Sequence, residues 1–240
     1  MLYLWPQTTG VTHLPAGFGL ITQPAARRIA KGIREGRVFA IDNGSFSENF
    51  DPERFWRFVT RLLPYREQML FVVPPDAVAD AEATLTLFEE WAPRFRELYL
   101  PVAFVLQDGQ EDLEWPQTGP ELTDWLGEQD AVDPEDDAAY YAATQHWERE
   151  SLGFDVLFVG GSTQYKLGPE AAACIAWAKR RGRWVHVGRV NSLTRFRYFQ
   201  LLGADSCDGT FPCFEPDTAA RRLTRAVAQP ELFRLGGEPC

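Results

Sequence analysis

No stretch of the chain approaches the roughly 20 consecutive apolar residues of a membrane-spanning helix, so no membrane partner is expected. The N-terminal Met1-Leu-Tyr-Leu-Trp-Pro6 lacks the basic leading region of a signal peptide and reads as a first strand. Cysteine is scarce. Cys174, Cys207, Cys213 and Cys240 show no CxxC spacing and no clustering, which excludes a disulfide framework and suits the reduced thiols of a cytoplasmic protein. Cys207 and Cys213 read as small packing residues, with metal ligation as the alternative. Basic charge is short as well: 24 Lys and Arg against 34 Asp and Glu leave a net charge of −10. That balance is the opposite of a nucleic-acid footprint. What the chain does have is 45% hydrophobic and 13% aromatic residues in 240, enough for a large core in one domain spanning 1–240. Disorder and low-complexity classes are excluded.

Short β-branched or aromatic runs alternate with amphipathic stretches. Val38-Phe-Ala-Ile41, Met69-Leu-Phe-Val-Val73, Val102-Ala-Phe-Val-Leu106, Val156-Leu-Phe-Val159 and Trp184-Val-His-Val187 read as strands. Most are apolar on both faces, as a buried parallel sheet requires. Leu2–Trp5, Gly19–Thr22 and a short run near Ser206 bring the candidates to eight. Between them, Asp51 caps a helix with Pro52 at its first position, and Phe55, Phe58, Val59 and Leu62 share one face. Further helices are expected over about 81–98, 169–181, 193–202 and 218–228. Repeated βα units predict an α/β fold, a (β/α)8 TIM-like barrel, with an open doubly wound parallel sheet as the alternative.

Residues 108–150 break the rhythm with fourteen acidic residues against Arg149 alone, too long for an ordinary connection. They read as an acidic insertion, with a helix over 137–150 carrying Tyr140, Tyr141 and Trp147. The segment serves either as a solvated flap or as a lid, and offers a place for a second copy or a partner protein. The rest of the chain is then positive by three, and residues 179–225 carry ten basic against four acidic residues. The acidic total therefore describes one insertion.

In a βα barrel, chemistry sits at the C-terminal ends of the strands. Six successive ends carry polar residues: Asp42-Asn-Gly-Ser-Phe46, Pro74-Pro-Asp76, Gln107-Asp-Gly109, Gly160-Gly-Ser-Thr163, Gly188-Arg-Val-Asn-Ser192 and Asp208-Gly-Thr210. Each alone reads more readily as turn chemistry. Six in register point to a site.

In order and spacing, these motifs resemble the tRNA-guanine transglycosylase superfamily, above all its short phage and bacterial branch that places 7-deazaguanines in DNA. The resemblance runs from about residue 38 to 215. It rests on Phe39-Ala-Ile-Asp-Asn-Gly-Ser-Phe46, Phe104-Val-Leu-Gln-Asp-Gly109, Phe158-Val-Gly-Gly-Ser-Thr163, Val185-His-Val-Gly-Arg-Val-Asn-Ser192 and Ser206-Cys-Asp-Gly-Thr210. It implies exchange of guanine for a 7-deazaguanine such as preQ0, with Asp208 as nucleophile at the sugar C1′ and Asp42 as general acid and base. It further implies that Asp76 and Gln107 read the base edge, that the Gly161 backbone N–H meets the base carbonyl, and that Phe46 stacks on the base with Val187 as the opposite wall. Gly160, Ser162 and Gly188 complete the base-binding set. His186, inside a strand, is expected in the core or supporting the site. Arg189, Asn191 and Arg195 suit either phosphate contact or helix capping.

The chain departs from the tRNA-acting members in lacking their Cys-rich zinc spacing, so neither metal nor other cofactor is expected. Pro212 is kept from their Pro-Thr-Arg, but Cys213 and Phe214 replace the next two residues. DNA is therefore expected in preference to tRNA, together with the free base. Two alternatives stay open: a nucleoside deoxyribosyltransferase or N-glycosidase acting on small molecules, and a non-catalytic accessory subunit.

Overall fold

The computed structural model describes residues 1–7, 14–15, 17–45, 50–112, 153–214 and 216–228. All eight candidate runs are strands: β1 (Leu2–Pro6), β2 (Phe18–Thr22), β3 (Phe39–Ile41), β4 (Met69–Val72), β5 (Ala103–Leu106), β6 (Val156–Val159), β7 (Trp184–Val187) and β8 (Ser206–Asp208). Every pair is parallel, and the order β4-β3-β2-β1-β8-β7-β6-β5 follows the chain around a ring. A parallel bridge between Val72 and Val102 links the two strands at the ends of that order. The sheet is thus a nearly closed (β/α)8-type barrel. An open doubly wound sheet would reverse its strand order midway and leave two free edges.

Helices flank the barrel: α1 (Lys31–Arg34), α2 (Pro52–Leu62), α3 (Ala81–Glu97), α4 (Thr163–Lys166), α5 (Pro169–Arg180), α6 (Leu193–Leu201), α7 (Phe211–Phe214) and α8 (Pro216–Ala228). Asp51 caps α2 as its sequence suggests, accepting from the Arg54 N–H at 3.0 Å, and the helix buries Phe55, Phe58, Val59 and Leu62. The short helices α1, α4 and α7 carry too little periodicity to be read from sequence. The expected helix over 137–150, with Tyr140, Tyr141 and Trp147, lies outside the described residues, as does nearly all of the acidic insertion.

Strand alternation divides the apolar side chains into two layers. Tyr3, Leu20, Phe39, Phe104, Val185 and Cys207 belong to the layer shared with the helices. Leu4, Ile21, Ala40, Phe71, Val73 and Val105 belong to the barrel interior, with Phe158 and Trp184 packed against them. This period of two decides which residues reach the mouth of the barrel.

Candidate active site at the C-terminal rim

Counting two residues onward from an inward-facing side chain gives the next inward position. Ala40 leads to Asp42, Val105 to Gln107, Phe158 to Gly160, His186 to Gly188, and Ser206 to Asp208. All five endpoints line one cavity of about 110 Å³, joined by Asn43, Asp76, Gly161 and Arg189 over walls that include Ile21, Val73, Val105 and Phe158. Pockets for drug-sized ligands enclose roughly 300–1,000 Å³, so this one suits a single ring system.

Both oxygens of Asp76 are held. Asn43 Nδ2 donates to Oδ1 at 2.8 Å and Gln107 Nε2 donates to Oδ2 at 2.7 Å. Asn43 is itself fixed, donating to the Pro74 carbonyl at 2.6 Å and accepting from the Ser45 N–H at 2.6 Å. Gln107 accepts from the Ala79 N–H at 3.2 Å, so each end of its buried amide is partly committed inside the protein. Burial raises the Asp76 carboxyl above the ordinary carboxylate range; the two amide hydrogen bonds and the Arg189 charge oppose this. The result is a rigid acceptor pair facing the cavity.

Asp42 and Asp208 occupy different environments. Burial, then the negative charges of Asp208 and Asp76, push the Asp42 carboxyl up to about 7, against the backbone N–H groups of Gly44 and Asn43. Asp208 Oδ1 faces donors instead: the Arg189 backbone N–H at 3.2 Å and His186 Nε2 at 3.2 Å. One carboxyl is thus held toward its neutral form while the other is set among donors. That division suits a proton carrier beside a nucleophile.

Other expected residues sit around the rim. Gly161 has φ +73, and a Cβ there would stand 2.5 Å from Asp108 Oδ2, so only glycine fits. Ser162 is turned away from the cavity lining: its N–H and hydroxyl both donate to Asp108, at 2.7 and 2.6 Å, and its Oγ also caps α4. Burial raises the Asp108 carboxyl, but these two bonds, its own backbone N–H and the Arg189 charge together hold it below the usual range. Asn191 accepts from the Thr210 N–H at 2.7 Å, clasping the β7 and β8 loops together, and does not line the cavity. Arg195 lies in the first turn of α6, capped by Ser192. Arg189, at φ +58, lines the cavity and donates from Nη2 to the Gly161 carbonyl at 2.6 Å.

Val187 is not a cavity wall. One residue beyond the inward-facing His186, it points into the outer layer, and Phe158 with Ile21, Val73, Val78 and Val105 provides the apolar surface. Phe46 lies outside the described residues. Cys207 is buried in the outer layer, and among the described residues no three His, Cys, Asp or Glu groups are placed to hold a metal ion.

Three contributors escape motif reading. Asn43 passes for turn chemistry in Asp-Asn-Gly. Ser206 passes for strand filler, although its spacing of two from Asp208 marks it as inward-facing. Lys166 is buried, with Nζ donating to the Gly188 carbonyl at 2.6 Å; burial and the Arg189 charge bring it down to about 8. A scan against protein-family models and a search of curated proteins each return no match.

Proposed function

We propose that the protein is a base-exchange transglycosylase, replacing guanine with a 7-deazaguanine in a polynucleotide, DNA in preference to tRNA. The observation that carries this reading is the pairing of Asp42 and Asp208 in one small cavity, in contrasting environments, beside the braced Asp76 carboxylate.

Asp208 attacks C1′ of the target nucleotide. An ester bond forms from its carboxylate oxygen to C1′, the C1′–N9 bond breaks with its electron pair leaving on guanine, and protonated Asp42 supplies the proton guanine takes. The incoming base then gives its N9 proton to Asp42. Its N9 attacks C1′ and releases the Asp208 carboxylate. Two displacements retain the anomeric configuration. Asp76 accepts from the N–H donors of the 2-aminopyrimidinone edge common to both bases. Because C1′ of a duplex is inaccessible to such a cavity, the nucleotide is flipped out or presented single-stranded.

The cavity holds the base of a free nucleoside as readily as that of a polynucleotide, and so the small-molecule transferase reading stands as the alternative. One experiment separates the two. The protein is incubated with preQ0 and, in parallel, DNA, tRNA or deoxyguanosine, followed by nucleoside mass spectrometry. Deazaguanine in the DNA arm is the expected result. Product in the deoxyguanosine arm alone overturns the polynucleotide reading, and product in tRNA alone overturns the choice of DNA.

A further inference from the structure

Behind Asp208 lies a chain of hydrogen bonds that base exchange by two aspartates does not require. Trp184 Nε1 is 2.8 Å from Ser206 Oγ, Ser206 Oγ is 2.8 Å from His186 Nδ1, and His186 Nε2 is 3.2 Å from Asp208 Oδ1. His186 and Ser206 are fully buried. The imidazole packs inside the barrel against Phe71 and Phe158, both rings tilted to it, with ring centroids at 5.0 and 4.7 Å.

The residue types are those of a serine-hydrolase triad, but the order is reversed. Here the carboxylate borders the cavity and the serine is sealed at the far end, so Ser206 cannot serve as a nucleophile. Donor and acceptor rules then set the direction of every bond. Indole N–H only donates, so it occupies a lone pair of Ser206 Oγ. An ionised carboxylate only accepts, so in the neutral ring the proton sits on His186 Nε2. Nδ1 is left to accept from the Ser206 hydroxyl. Each link donates toward Asp208.

Asp208 Oδ1 thus accepts from both His186 Nε2 and the Arg189 backbone N–H, whereas Oδ2 accepts no hydrogen bond from the described residues. The geometry points to His186 as a positioning residue: wired through Ser206 and Trp184, it pins Oδ1 and leaves Oδ2 as the oxygen that attacks C1′. This deepens the transglycosylase reading and rests on it for the identity of the reaction.

The test compares His186→Leu, which fills the site without a donor, with His186→Gln, whose amide nitrogen reaches the place of Nε2. With folding checked by thermal melts, His186→Leu is expected to lower kcat for exchange about 100-fold, the scale of a misplaced reacting group. Its KM for the free base should stay within about twofold, and His186→Gln should recover at least about tenfold of the loss. A folded His186→Leu that exchanges at the wild-type rate overturns the proposal, as does a folded His186→Gln no better than His186→Leu. A second readout needs no turnover. Long-range 1H–15N correlation in the resting protein, which has three histidines, reads the ring tautomer directly. An Nε2–H ring at His186 supports the wiring and an Nδ1–H ring overturns it. If the wild-type protein exchanges no base at all, the transglycosylase reading falls, and the tautomer still decides the His186–Asp208 contact.

Discussion

Asp42 carries the cost of the site in its own ionisation. Its carboxyl is raised to about 7 in the folded protein, above the ordinary 3.8 of an exposed side chain, so the native state binds the extra proton between those values. Stability from this group is therefore full below about pH 4 and is lost as pH rises through 7. Asp42→Asn is expected to stabilise the protein by on the order of 2–4 kcal/mol at pH 8 and by little at pH 4. Urea denaturation at the two pH values checks this, and an equal effect at both would contradict it. Gly161 gives a second residue-scale outcome. Gly161→Ala drives a methyl into Asp108 and is expected to abolish exchange. Gly182→Ala, also at positive φ but with open space around its Cβ, should cost about 1 kcal/mol and leave exchange intact. Activity assays on the two variants separate crowding at the site from backbone strain.

At the scale of elements, the site is a consequence of strand alternation. Eight strands were legible because both-face-apolar runs such as Phe104-Val-Leu106 suit little other than a buried parallel sheet. Asp42, Gln107 and Asp208 were legible as polar residues at successive strand ends, and alternation explains why the structure brings them to one mouth. Val187 was misplaced for the same reason: a shift of one residue along β7 exchanges the barrel interior for the outer layer. The supports were hidden because their partners are distant in sequence. Asn43 meets Asp76 across 33 positions, and His186 meets Asp208 across 22. Asn43 braces β3 against the loop after β4, so Asn43→Ala leaves the Ser45 N–H and one Asp76 oxygen without their partner. A loss of about 2–3 kcal/mol in folding stability is expected. The KM for the free base should rise about tenfold, readable from denaturation and steady-state kinetics.

Over the whole molecule, five cations of the basic stretch 179–225 fall at one end of the barrel or the other. Lys179, Arg181 and Arg183 precede β7 at the end away from the cavity and are engaged there, with Asp205 at 2.7 Å and over the Trp177 and Phe154 rings. Arg189 and Arg195 follow β7 at the end that carries the cavity. On the proposed reading, Arg189 and Arg195 are the two of these five that a phosphate backbone beside Asp208 would meet. Single-stranded DNA binding is expected to weaken with salt at a log–log slope of only about −1 to −2. Arg195→Ala should remove about 0.7 of that slope and Arg181→Ala none of it, measured by fluorescence anisotropy across a salt series. The central claim concerns one bond, the ester between Asp208 and a sugar C1′. Intact-protein mass spectrometry after incubation with a guanine-containing oligodeoxynucleotide, in the absence of incoming base, reads it directly. The account predicts an adduct of oligonucleotide mass less guanine, mapped to the peptide holding Asp208 and lost in Asp208→Ala. An adduct that survives Asp208→Ala, or base exchange that proceeds unaltered in that variant, would contradict it.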